Sequence, residues 1–237
     1  MLFNSPISSQ KAVQLVSLLD LVPESHVLDV GCGTGEFLIR VVERTGARGL
    51  GIDIQPGLIA KARKAAFERV PHCFLEWHES AIIDANLEDG RFDMVMCLGS
   101  THAFGDGETA YPNAIREMSR LAKPGGQLLV GETYWKQPPA QDYLELIGDP
   151  VGTYRDNATN IAIAEETGLR VVYATVSNED EWDHFEWSHQ LELERKRREN
   201  PDDPALAERL KRSRAWRDGY LRWGRTTMGF GIYLFTK

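Results

Sequence analysis

Apolar residues along this chain fall alternately into short continuous runs and into helical spacings. The runs Val27–Val30, Ala47–Asp53, Cys73–Trp77, Phe92–Leu98, Gln127–Glu132, Val171–Val176 and Gly229–Phe235 read as seven strands. Between them, apolar positions three and four apart predict helices over Glu36–Glu43, Gly57–Arg69, Tyr111–Leu121, Gln141–Ile147 and Ala158–Thr167. Ahead of the first strand, Ala12, Val13, Leu15, Val16, Leu18 and Leu19 follow Ser8 and Ser9, which is an amphipathic helix with a serine start signal, stopped by Pro23. This helix either packs on the sheet edge or serves as a flap over a ligand site. The first strand, its glycine turn and the helix behind it make the opening half of a βαβ nucleotide-binding unit.

That turn carries the chemistry. Asp29-Val30-Gly31-Cys32-Gly33-Thr34-Gly35 stops an apolar strand at a carboxylate and follows it with alternating glycines, which suit a backbone that turns sharply and lies close to a ligand. A dinucleotide loop sets its third glycine three residues after the second, and here that place is Glu36. Asp29 would repel a pyrophosphate and attract a cation. S-adenosylmethionine (SAM) is a sulfonium and an ammonium without a phosphate, and it matches the loop better than NAD does.

These residues resemble the first motif of the class I SAM-dependent methyltransferases, and the likeness continues downstream. Phe92-Asp93-Met94-Val95 is similar to the family's Phe-Asp-x-Val strand, and Leu121-Ala122-Lys123-Pro124-Gly125-Gly126 to its Leu-Lys-Pro-Gly-Gly turn, with Ala122 inserted. The resemblance implies a Rossmann-like, doubly wound seven-strand sheet, six strands parallel and one antiparallel, with helices on both faces. It implies a cofactor site of Asp29, Gly31, Gly33, Gly35, Asp53, Ile54 and Leu98, with Asp53 on the ribose diol and Ile54 against the adenine. Where the family shows Asp-Ala after its third strand this chain has His78-Glu79-Ser80-Ala81, which leaves Glu79 or Ser80 to read the adenine. The loop Gly99–Asp106 stands where the family touches its methyl acceptor, so Thr101 and His102 are expected there. His102 is either a general base for the acceptor or a capping histidine. Glu132 is suited to binding an amine or accepting a proton, and Tyr134 and Trp135 to holding a cationic or planar acceptor, although Trp135 is equally suited to packing on Pro138 and Pro139.

The family usually joins its sixth and seventh strands closely, whereas Ser177–Met228 intervenes here. The division expected is therefore a core of residues 1–176 and 229–237 and a helical insertion of 177–228, two helices broken at Asn200–Pro204. Its aromatic start, with Trp182, suits a lid over the acceptor. From Leu191 to Arg225, 11 Lys and Arg face 7 Asp and Glu, while the whole chain of 237 residues carries −8. Salt bridges to Glu192, Glu194 and Glu208 are the first reading of this basic surface, an anionic acceptor or a dimer contact the second, RNA the third.

The acidic balance argues against nucleic acid or membrane as partner. Three scattered cysteines, Cys32, Cys73 and Cys97, read as reduced thiols, and with no leader or apolar span a cytoplasmic place is expected. Asp183, His184, Glu186 and His189 fall at helical spacing without a completing cluster, so no metal is expected. The resulting expectation is an enzyme, monomeric or homodimeric, that moves the SAM methyl group to N, O or S of a small-molecule acceptor. The alternatives are an RNA or protein methyltransferase using the basic insertion, a non-catalytic SAM-binding protein and, more distantly, an NAD-dependent reductase.

Overall fold

The computed structural model describes residues 2–237. Seven strands, β1 (His26–Val30), β2 (Arg48–Asp53), β3 (Leu75–Glu79), β4 (Phe92–Leu98), β5 (Ala122–Trp135), β6 (Arg170–Val176) and β7 (Met228–Thr236), form one sheet in the order β3-β2-β1-β4-β5-β7-β6. Strand β7 runs antiparallel to both of its neighbours, and the remaining pairings are parallel. This is the mixed seven-strand, Rossmann-like sheet expected from the sequence.

Strand alternation decides which helices cover which face. Val27, Met94, Met96, Leu129, Ile232 and Leu234 point into one core with α1 (Ser9–Ser17), α2 (Glu36–Thr45) and α3 (Pro56–Phe67). The intervening Leu28, Val95, Cys97, Leu128, Val130, Tyr233 and Phe235 point into a second core. Tyr111, Ile115 and Met118 of α4 (Ala110–Leu121) and Ala164 of α6 (Asn157–Glu166) complete that one. A one-residue slip in any central strand would exchange its two faces, so this double burial fixes the register. Helix α1 packs on the sheet through Ala12, Leu15 and Val16, capped by the Ser8 hydroxyl. Helix α5 (Gln141–Ile147) lies beyond β5.

The bounds of β3 and β5 differ from the sequence reading, and β5 starts at Ala122 rather than Gln127. Pro71 to Phe74 closes into a 3₁₀ turn, with the Phe74 N–H donating to the Pro71 carbonyl at 3.0 Å, so β3 starts at Leu75 and Cys73 is an exposed turn residue. Strand β5 does not stop at Glu132. It continues through Tyr134 and Trp135, paired with Gly229 and Met228 of β7, which removes both aromatics from a loop.

Between β6 and β7, α7 (Glu179–Glu199) and α8 (Pro204–Gly219) are followed by a π-helical turn, Tyr220–Gly224. The two long helices are tied by side chains. Asp183 accepts from Tyr220 and Arg225, Glu186 from the Trp216 indole, and Glu194 from Arg214, while Gln190 accepts from Ser213. Lys196 pairs with Glu192 on the same helix, but Glu208 has no ion pair among the described residues. Ion pairs thus engage Lys196, Arg214, Arg217 and Arg225, whereas Arg195, Arg197, Arg198, Lys211 and Arg212 of the same basic surface have none among the described residues.

Candidate cofactor and acceptor site

Beyond the carboxyl ends of β1, β2 and β4 the sheet opens on a cavity of about 320 Å³. The order β2-β1-β4 reverses the direction of winding at β1, where open α/β sheets bind their ligands. The glycine loop makes its floor. The Gly31 and Cys32 N–H groups both donate to the Ile52 carbonyl, at 2.8 and 3.0 Å, which folds the loop back over β2.

Two glycines show what the loop requires. Gly35 has φ +74 and caps α2, and a Cβ on it would lie 2.3 Å from the Trp77 ring. Gly33 also has positive φ, +56, but a Cβ there would meet nothing within 4 Å. At Gly35 the missing side chain makes room for protein, whereas at Gly33 it leaves room beside the cavity.

Asp29 is buried and lines this cavity, and nothing among the described residues donates a hydrogen bond to its carboxylate. Burial, and after it the negative charge of Asp53, pushes its pKa up to about 8. An uncompensated buried carboxylate is a ready site for a cation. Asp53, at the end of β2, accepts from the Gly33 N–H at 2.9 Å and from the Gln55 N–H at 2.8 Å. It therefore ties the loop to β2 and retains lone pairs toward the cavity, which a ribose diol can use.

The expected cofactor residues Asp29, Gly31, Gly33, Asp53, Ile54, Ser80 and Leu98 all line this space. Gly35 stands behind it as the α2 cap. Ile54 is 67% exposed and free to meet a flat ligand. Of the two adenine candidates, Ser80 is in the wall with its Oγ buried and without a partner, whereas Glu79 is exposed and outside the lining. Glu36 sits in the first turn of α2, where its carboxylate accepts from Arg40 and Arg69 at 2.6 Å each. It joins α2 to the turn after α3 through Arg69.

The acceptor residues named from the sequence do not form one group. His102, exposed in a 3₁₀ turn, lines the cavity rim with Ser100 and Ala103. Thr101 faces the other way and donates its hydroxyl to buried Glu132. The second Glu132 oxygen accepts from the Thr133 N–H at 2.7 Å. Burial raises the pKa of Glu132 to about 7 despite those two bonds and nearby Arg155. Neither Thr101 nor Glu132 lines the cavity. Tyr134 covers Gly229, where a Cβ would meet its ring at 2.4 Å. The Trp135 indole donates to the Val151 carbonyl at 3.0 Å and packs edge-on to Tyr143 and Tyr154, so its partner is α5 and the following turn rather than Pro138 and Pro139. Trp182 is buried against Tyr220 and Phe185 in the core below α7. Asp183, Glu186 and His189, weighed as metal ligands, are turned to Arg225, Trp216 and the Phe185 ring respectively.

One part of the wall had no sequence signal. Leu2, Phe3, Asn4 and Ser5, ahead of α1, line the cavity directly. Ser100, within the loop Gly99–Asp106, lines the cavity too, and a Cβ on Gly31 would fall 2.3 Å from its Cβ, a contact between the turns after β1 and β4 that spacing cannot reveal.

The family profile of a methyltransferase domain matches residues 27–126, the stretch from β1 into the start of β5. The uncharacterized protein YjhP of Escherichia coli (strain K12) is 27% identical over 97% of this chain and 92% of its own length. Its X-ray structure superposes with a TM-score of 0.86. The crystal structure of a SAM-dependent methyltransferase from Geobacter sulfurreducens, in complex with S-adenosyl-L-homocysteine, is 26% identical, covers 98% of this chain and 92% of its own, and has a TM-score of 0.88. A 2-phytyl-1,4-naphtoquinone methyltransferase of Trichormus variabilis is 25% identical over 65% of this chain and 64% of itself. A switch-point cavity holding a buried carboxylate suited to a cation accompanies these likenesses: residues 27–126 match a methyltransferase domain, and the chain resembles SAM-dependent methyltransferases, enzymes that use S-adenosyl-L-methionine as methyl donor.

Proposed function

We propose that this enzyme methylates N, O or S of a small-molecule acceptor. The observation that carries the reading is the roof of the cavity. Leu2–Ser5 and the turn after β4 both line it, and a walled cleft of this size suits a small molecule. Relatives whose names state an acceptor support it, among them the naphtoquinone methyltransferase and a 27-O-demethylrifamycin SV methyltransferase of Amycolatopsis mediterranei, 28% identical over 54% of this chain and 45% of itself.

Each residue has a part in this reading. The Asp29 carboxylate holds the cationic amino acid end of the donor, and Asp53 holds its ribose while fixing the Gly33 backbone. Ile54 and Leu98 flank the base, and Ser80, with its unpartnered hydroxyl, reads the base edge. Bound SAM supplies a methyl group already activated by its sulfonium, so alignment and exclusion of water are the main tasks left to the protein. His102 on the rim orients the acceptor or takes its proton. Glu132 acts one step back, holding Thr101 and through it the turn that carries His102.

Transfer of labelled methyl from SAM into a cell extract, separated by size, tests the proposal. Label in the metabolite fraction supports it, and the product mass identifies the acceptor. Label in RNA or protein overturns it in favour of a macromolecular acceptor. Binding of SAM without transfer to either fraction overturns it in favour of a SAM-binding role.

A further inference from the structure

Ahead of α1 the chain forms an irregular strap, Leu2–Ile7, whose first four residues wall the cofactor cavity. At one end the strap lies on the glycine loop and α2. Thr34 Oγ1 donates to the Leu2 carbonyl at 3.3 Å, the Phe3 ring meets Phe37 edge-on at 6.4 Å, and the Arg40 guanidinium stands 5.3 Å from the Phe3 ring centroid.

At the other end the strap runs into Ser8, and there a single side chain of the insertion holds it. Glu181, in the first turn of α7, is 7% exposed. One of its oxygens accepts from the Ser8 N–H at 3.2 Å and the Ser8 hydroxyl at 2.6 Å. The other accepts from Lys11 Nζ and from the Asn178 N–H at 2.9 Å. Ser8 is the N-cap of α1 and Asn178 the N-cap of α7, so one carboxylate joins two helix starts 170 residues apart in the chain. Although burial works to raise its pKa, the bonds from Lys11, Ser8 and Asn178 hold it below the usual carboxylate value.

There is free space on both sides of the strap. Behind it, away from the cofactor, lies a second cavity of about 70 Å³ lined by Leu2, Phe3, Ser5 and Ile7 with His184 and Phe185 of α7. A close-packed interior leaves little such space, and here it gives the strap somewhere to move.

We infer that Glu181 is a positioning residue of the cofactor site: through Ser8 and Lys11 it holds the strap Leu2–Ile7 closed across the cavity, and cofactor exchange requires this latch to release. The inference rests on the reading of the cavity as the SAM site. It makes the insertion part of the cofactor site, although none of its residues lines that cavity.

The dissociation rate of S-adenosylhomocysteine from the full chain, followed by chasing labelled ligand with excess unlabelled ligand, tests it. Removing a latch acts mainly on the off-rate. Glu181→Ala and Phe3→Ala, at opposite ends of the strap, should each speed dissociation about tenfold. The double variant should be little faster than the faster single one, because both open the same element. Dissociation within twofold of wild type in Glu181→Ala, with only the melting temperature lowered, would overturn the latch, as would a double variant whose effect is the product of the two singles. Should Glu181→Ala fail to fold because Lys11 is left unpaired, Ser8→Ala removes the 2.6 Å bond without stranding a charge. An unchanged rate there overturns the latch too. Failure of the wild-type chain to bind S-adenosylhomocysteine would instead remove the cofactor reading beneath both proposals.

Discussion

The two ends of this molecule treat their carboxylates differently. Around the glycine loop, neither the buried Asp29 carboxylate nor the buried Ser80 hydroxyl has a hydrogen-bond partner among the described residues, and a Cβ on Gly33 would meet nothing within 4 Å. In the insertion, Asp183, Glu186, Gln190 and Glu194 each have a partner on α8 or just after it. Burying a polar group without a partner costs on the order of 1–3 kcal/mol, and a fold tolerates that where a ligand will supply the partner. The insertion has more charge, yet the site lies where a buried carboxylate is left unanswered.

Substitutions on the two sides should therefore separate binding from stability. Gly31→Ala should have the largest effect, because its Cβ would strike Ser100 and its φ is +68. Overpacking and backbone strain together should lower the unfolding free energy by about 3 kcal/mol, as measured by denaturant titration, and abolish S-adenosylhomocysteine binding. Asp53→Ala should fold and yet weaken that binding about 100-fold in calorimetry, since the loop loses its tie to Gly33 along with the ribose acceptor. As its counterpart, Asp183→Asn should lower the melting temperature by a few degrees and leave ligand affinity within about twofold. A loss of affinity there as large as that of Asp53→Ala would erase the distinction.

Protonation sharpens the contrast further. The Asp29 pKa is raised to about 8, so at neutral pH the empty protein carries a proton there that the ammonium group of a bound ligand must expel. Affinity for S-adenosylhomocysteine should climb by up to about tenfold per pH unit from pH 6 and level off above 8, and Asp29→Asn should flatten the curve. The stability of the empty fold runs in the opposite sense. A raised acid pKa contributes stability that is present in full below the unfolded value of 3.8 and is lost as pH rises through about 8, so the wild-type melting temperature should fall more between pH 6 and 9 than that of Asp29→Asn. His102→Ala should leave binding unchanged and reduce turnover about 100-fold, and unchanged turnover would end its proposed role. The smallest effect is expected from charge reversal across Arg195–Arg198, where small-molecule turnover should stay within about twofold.

The fold was legible because its signals are local. A doubly buried strand reads as an apolar run, a helix as a spacing and the loop as glycines around Asp29 and Asp53, and all of these lie within a few residues of one another. The acceptor side was legible only in part. Glu132, Tyr134 and Trp135 look like a polar and aromatic cluster at a strand end, but β7 pairs alongside and extends β5 past all three. Thr101 neighbours His102 in the chain and points away from it, as residues in a tight turn do. The pair Asn178 and Glu181 was a readable capping box, but nothing near it announces that the same carboxylate also holds Ser8.

The sequence by itself determined the parallel core, the cation-seeking glycine loop and the choice of SAM over a dinucleotide, since each depends on residue types at short, fixed spacings. Only the tertiary structure decided that Ser80 rather than Glu79 faces the cavity, that Glu132 answers to Thr101, and that Leu2–Ser5 supplies a wall. Those outcomes depend on which side chains meet across the ends of different strands, and such meetings are set by packing over the whole sheet.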